Sequence, residues 1–172
     1  MNNYQITNIN QITDIAAGIA GELIRDRTQA DVDYALGLER NGGYTDEDLK
    51  GAYNISDRNR VGEAFNYMMG CLRHIGRYEA LAKIKDDWVS HDIVKPGDNR
   101  KVLAALEYLK WHLPYSETEE VPDSLDVLTY QKANTVENIL FDTYGVFLRM
   151  ADMWFFCGEA FASDFDFWNQ FK

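Results

Sequence analysis

The residues best equipped for chemistry sit together in KDDWVSHD, where Asp86, Asp87, His91 and Asp92 surround Trp88. Paired carboxylates can share acid and base work in hydrolysis, and a group of them can hold a hard cation. On a helix, however, neighbours 86 and 87 point in different directions, and a solvated acidic loop accounts for the same letters. A carbohydrate-binding or hydrolytic surface built on an exposed Trp88 and its acids is the third of three functional readings. The three histidines, His74, His91 and His112, are scattered, with none at a metal-ligand spacing from another or from a Cys or carboxylate cluster, so neither a metal nor a cofactor is expected. Cys71 falls on an apolar helical face and Cys157 follows Trp154-Phe155-Phe156. Neither has a histidine or a cluster of bases beside it to activate a thiolate, and free buried thiols are expected rather than a disulfide. No GxSxG, P-loop or dinucleotide fingerprint is present, and capping explains the glycine pairs at helix ends. The expectation is that the chain is not an enzyme.

Positive charge at two helix starts is the other feature to explain. Arg60 and Lys101 both lie in a first turn, where the macrodipole disfavours cations, so each needs an acid nearby. That acid belongs either to the same chain or, at an intersubunit contact, to a neighbour.

The helices that carry these residues are marked by spacing. In SDRNRVGEAFNYMMGCL, residues Val61, Ala64, Phe65, Met68, Cys71 and Leu72 occupy one face behind a Ser56-Asp57 pair able to cap it. DNRKVLAALEYL echoes it: Asp98 matches Asp57, Lys101 matches Arg60, Val102 matches Val61, Ala105 matches Ala64, Leu106 matches Phe65 and Tyr108 matches Tyr67. A looser third copy starts near Asn134, with Val136, Ile139, Leu140 and Phe147 in the corresponding places. Either an internal duplication or the common pattern of capped core helices explains the echo. Thr28 with Asp31 forms an acidic capping box before a helix burying Val32, Ala35, Leu36 and Leu38, stopped by Asn41-Gly42-Gly43; Thr45 and Asp48 repeat the device. Upstream, isoleucines three or four apart between Ile6 and Leu23 predict a helix interrupted at Gly18 and Gly21, or a strand over residues 5–9. The organising helix ends near Gly76, and Tyr78, Leu81, Ile84 and Trp88 continue in short helical or irregular structure. Residues 91–97 and the proline-bearing acidic stretch 114–124 read as loops. A thirty-residue helix follows from about Asp126, broken at Gly158. The fold class is all-α: a compact domain of about five to six helices, divided into an N-terminal segment 1–24, a core module 25–160 and an aromatic tail 161–172.

The chain has 172 residues, enough for one domain with one sizeable core, and its 46% hydrophobic and 26% charged content is ordinary globular usage. Net charge is −11, with eleven acids against three bases in residues 113–172. That balance repels phosphate backbones and argues against nucleic acid as a partner. No stretch approaches the roughly 20 apolar residues of a membrane span, and MNNYQITNIN lacks the basic start and apolar run of a signal peptide, so synthesis in a cytoplasm and no membrane partner are expected. The tail EAFASDFDFWNQFK concentrates Phe161, Phe165, Phe167, Trp168 and Phe171. Such a patch either folds back onto the domain or docks into a neighbouring subunit or partner.

Read together, DRTQADVDYAL, LKGAYNISDRNRVGEAFNYM, KDDW, VPDSLDVLTYQKANTVENILFD and CGEAFA resemble, in order and spacing, a module in tail-associated structural proteins of phages and prophages of gut and other Gram-positive bacteria. The likeness runs over roughly residues 25–162. It implies a virion component at a tail tip, baseplate or fibre attachment, in contact with other phage structural proteins and present as a homo-oligomer in the particle. It brings no catalytic residues. The aromatic close at Lys172, without a fibre-like region, favours an adaptor over direct host recognition. The candidate interface residues are accordingly Arg60, Lys101, Trp154, Phe161, Phe165, Phe167, Trp168 and Phe171. The competing reading is an acidic assembly chaperone or soluble binding module that is absent from the finished particle.

Overall fold

A computed structural model describes residues 17–40, 42, 49–74, 83–112 and 120–161, and among them the fold is all-α. A short helical stretch, residues 17–22 (α1), is followed by α2 (Gln29–Arg40), α3 (Ile55–His74), α4 (Pro96–His112) and α5 (Tyr130–Phe161). The possible strand at 5–9, the Thr45/Asp48 cap and the residues Tyr78 and Leu81 lie outside the described residues.

Local chemistry sets each helix start. The Thr28 N–H and hydroxyl both donate to Asp31, and the Asp31 N–H donates back to Thr28 Oγ1, closing the capping box that opens α2. Helix α3 begins differently from the Ser56-Asp57 cap read in the sequence. Asn54 is its cap: Asn54 Oδ1 accepts the Asp57 N–H at 3.2 Å, while the Asn54 N–H donates to Asp57 Oδ2 at 2.8 Å. Asp57 is therefore the third helical residue, turned back on the cap. The same reach recurs at α4, where the Lys95 N–H donates to Asp98 Oδ2 at 3.0 Å. At the far end of α2, Gly42 takes a φ of 69°, the left-handed conformation that terminates helices cheaply only for glycine.

Packing is built around α5, which lies against both α3 and α4. Val61, Ala64, Phe65, Met68 and Leu72 of α3 meet Ala105, Leu106 and Leu109 of α4 and Val136, Ile139 and Leu140 of α5, with Ile19, Ala20 and Leu23 joining from the N-terminal stretch. Each fully buried Leu, Ile or Phe contributes about 1.5–3 kcal/mol. The matched pairs Ala64/Ala105 and Phe65/Leu106 all lie in this core.

Two expectations are corrected by the packing. Leu36 is exposed; of α2's apolar residues only Ala35 is buried, because α2 meets the rest of the molecule along a narrow stripe. Helix α5 starts at Tyr130 and runs through Gly158 to Phe161, since one glycine costs a helix only about 1 kcal/mol and does not end it.

Between α3 and α4 the chain is irregular, and residues 83–89 lie along α3 held by asparagines. Asn66 donates to the Ile84 carbonyl at 2.8 Å and accepts the Ile84 N–H at 3.1 Å; Asn59 does the same for Trp88, at 3.1 and 2.6 Å. Gly62, one turn from each, makes the approach possible. A Cβ there would stand 2.5 Å from the Lys85 carbonyl oxygen.

Candidate functional site

Four charges meet where α3, α5 and the segment after α1 converge. Arg27 follows the N-terminal stretch, Asp57 and Arg60 lie in the first turns of α3, and Glu137 sits on the inward face of α5 beside Val136 and Leu140. Arg27 is 3% exposed, Asp57 3% and Glu137 0%, so three of the four are fully interior. Arg27 Nη2 reaches Asp57 Oδ1 at 2.7 Å and Glu137 Oε1 at 2.8 Å. Arg60 closes the ring from the other side, bound to Asp57 Oδ1 and, at 3.2 Å, to Glu137 Oε1. Two cations and two anions balance, which is the condition for keeping such groups out of water. Burial works against the Arg60 charge, but the Glu137 and Asp57 carboxylates outweigh it and raise its pKa.

Backbone groups take up much of the remaining capacity, while the buried Arg27 Nε has no hydrogen-bond partner among the described residues. Glu137 Oε2 accepts the Ile24 N–H at 2.5 Å and Arg60 Nε at 3.3 Å, and Asp57 Oδ2 is committed to the Asn54 N–H. Arg27 Nη1 donates to the Ile24 carbonyl at 2.6 Å. Asn134, one turn before Glu137, clasps the Arg27 backbone in both directions, accepting its N–H at 3.1 Å and donating to its carbonyl at 2.9 Å. Every carboxylate oxygen in the ring accepts a hydrogen bond or ion pair from within the chain. Chemically, the arrangement fastens.

Tyr53 roofs the ring, with the Arg27 guanidinium 5.6 Å from its centroid. Burial, and then the charge of Glu137, pushes the Tyr53 phenol well above its ordinary range. On its far side Tyr53 faces Arg58, 5.5 Å away, and Arg58 stands 5.6 Å from the Trp88 ring. Arg58 lines an open cleft together with Lys85, Lys101, Asp98 and Asn99, over an apolar floor that includes Val61, Leu125 and Leu128. Lys85 also lies over Trp88, at 5.1 Å.

The sequence-predicted residues are distributed unevenly over these features. Arg60 finds its acids within the chain and is turned inward. Lys101 is half exposed, 3.8 Å from Asp98, on the rim of the cleft. The KDDWVSHD acids separate: Asp86 accepts from Asn66 and Lys83, Asp92 accepts the Val89 N–H and pairs with Lys85, and Asp87 points outward. Trp88, read as exposed, is only 8% so, because Asn59 and Lys85 hold its backbone and indole against α3. Among the described residues no group of three His, Cys, Asp or Glu could hold a metal, and no helix is long and apolar enough to cross a membrane. Phe165, Phe167, Trp168 and Phe171 lie outside the described residues, as do the side chains of Trp154, Phe161, Cys71, Cys157, His74 and His112. Sequence reasoning missed Arg27 and Glu137. The available signal was a glutamate in the inward register of α5, which demands buried cations as partners.

The chain matches no protein-family model, no curated protein and no solved structure.

Proposed function

We propose that this chain is a structural part of a phage virion, an adaptor at the tail tip, baseplate or fibre attachment that works through protein–protein contacts and carries no catalysis. One observation bears most of the weight. Four of the five stretches by which the chain resembles tail-associated modules contain residues that fasten its fold: Arg27 of DRTQADVDYAL, Asn54, Asp57 and Arg60 of LKGAYNISDRNRVGEAFNYM, Trp88 of KDDW, and Asn134 and Glu137 of VPDSLDVLTYQKANTVENILFD. A motif set spent on a buried lock specifies a rigid scaffold, which suits a part whose task is to be held and to hold. The net charge of −11 agrees with protein partners over nucleic acid. The chain is made in the host cytoplasm and joins other phage structural proteins as a homo-oligomer.

The test is mass spectrometry of purified particles induced from the source strain, counting this chain against the major capsid protein. A small, fixed copy number supports the adaptor. Absence from particles with abundance in the lysate overturns it in favour of an assembly chaperone or soluble binding module. The buried position of Trp88 removes the motive for a carbohydrate-binding surface there.

A further inference from the structure

Arg58 faces the cleft from between two aromatic rings. In a chain with 28 acids and 17 basic side chains, its guanidinium makes no ion pair or hydrogen bond among the described residues and is held only between the Tyr53 and Trp88 rings. An arginine fixed by two aromatic faces keeps its donor edges free for an anion. Lys85 and Lys101 share the same cleft, Lys85 paired with Asp87 and Asp92 and Lys101 3.8 Å from Asp98, so the positive charge left to the cleft is that of Arg58, and Val61, Leu125 and Leu128 floor it. The cleft is therefore complementary to a short segment that pairs an apolar side chain with a carboxylate.

The chain contains such a segment. Asp164-Phe165-Asp166-Phe167-Trp168 alternates acids with aromatic rings. It cannot serve its own cleft. From Val136, at the cleft, to Phe161, the end of α5, the helix rises roughly 37 Å at about 1.5 Å per residue. Fully extended chain beyond Phe161 carries Trp168 roughly 25 Å. We propose that the acidic-aromatic stretch 164–168 of one copy docks in the Arg58 cleft of a second copy, a carboxylate on Arg58 and an aromatic ring over the apolar floor. This deepens the proposed assembly role and rests on it. The contact is heterologous, joining different surfaces on the two copies, so repetition gives a ring or an open array rather than a closed pair.

The experiment uses the 172-residue chain and two charge reversals, Arg58→Glu in the cleft and Asp164→Lys with Asp166→Lys in the tail. Sedimentation velocity over a concentration series up to about millimolar reads association, and circular dichroism checks the fold. Wild type should associate beyond a dimer, in a salt-sensitive way, and each reversal should weaken association roughly 10- to 100-fold, as expected for losing a charged hydrogen bond in a contact. Mixed together, the two variants should recover association that neither shows alone, since one supplies an intact tail, the other an intact cleft, and the reversed tail and reversed cleft are again of opposite charge. A monomeric wild type, reversals that associate like wild type, or a mixture that fails to recombine would each overturn the docking. The virion reading is decided separately by the particle count: a monomeric chain found at fixed copy number in particles would remove this contact and leave the adaptor standing.

Discussion

Glu137→Gln is the most direct probe of the buried charge ring. The substitution preserves shape and removes one negative charge from a site with two arginines, leaving a net positive charge in the interior. It also puts an NH2 group where an acceptor is required. Oε1 accepts from Arg60 and is ion-paired with Arg27, and Oε2 accepts from Ile24 and Arg60, so either amide orientation sets donor against donor. Breaking a buried pair by removing one partner costs about 3–5 kcal/mol. For a chain of 172 residues, at about 2–4 °C per kcal/mol, this is a Tm lower by roughly 6–20 °C. Urea unfolding should show the midpoint falling with its slope unchanged. Adding Arg27→Met restores the charge balance, leaving Arg60 with Asp57, so the double variant should lose less than the two single losses added, by about 1–3 kcal/mol. A Glu137→Gln protein within about 1 kcal/mol of wild type, or strictly additive losses, would refute the ring as the fastening of the fold.

Two glycines of α3 should respond with opposite signs in urea unfolding. Gly62→Ala meets the Lys85 carbonyl and should cost about 1–3 kcal/mol, whereas Gly70→Ala finds nothing within 4 Å and should gain about 0.5–1 kcal/mol from helix propensity. Asn59→Ala removes both bonds to the Trp88 backbone and should lower stability by about 1–3 kcal/mol, with the Trp88 amide losing protection in hydrogen exchange before the core of α5 does. The pH profile should decline at both ends. Hydrogen bonds from Thr28 hold the Asp31 carboxyl below its ordinary value, and the Val89 N–H, with Lys85, does so for Asp92. Their contribution is whole above about pH 4 and is lost as pH falls through the lower native values, so Asp31→Asn should flatten the acid limb of a denaturation series. The Tyr53 phenol is raised; its contribution is whole below about pH 10 and drains as pH climbs further, and Tyr53→Phe should flatten that limb.

Helices with local signals were legible from the chain alone. Thr28 and Asp31 mark the start of α2, Pro96-Gly97-Asp98 marks α4, and the three-and-four spacing of Val61, Ala64, Phe65, Met68 and Leu72 identifies the buried face of α3. Errors arose where two local readings compete. Ser56-Asp57 and Asn54 are both plausible caps, and the choice depends on Asp57 having a second duty toward Arg27. Ala35 and Leu36 are adjacent, and periodicity alone cannot say how narrow the stripe of α2 is. The charge ring depends on separations that no window spans: Arg60 and Glu137 are 77 residues apart, Ile24 and Glu137 are 113. Glu137 in the inward register was visible; its partners were not. The same holds for Arg58, whose place between two aromatic rings is a fact of three dimensions.

The asparagine clasps bear on how this molecule can vary. Asn59, Asn66 and Asn134 each grip a main-chain N–H and C=O, at Trp88, Ile84 and Arg27. Only a carboxamide offers donor and acceptor side by side in the geometry of a neighbouring strand; aspartate, of the same size, lacks the donor. The grip is blind to the side chains of the segment it holds. Lys83, Asp87 and Val89, all outward, can be exchanged without loosening the segment's attachment to α3. The fold thus separates where this edge is fixed from what it displays, and a lineage could rewrite the display while the three asparagines stay.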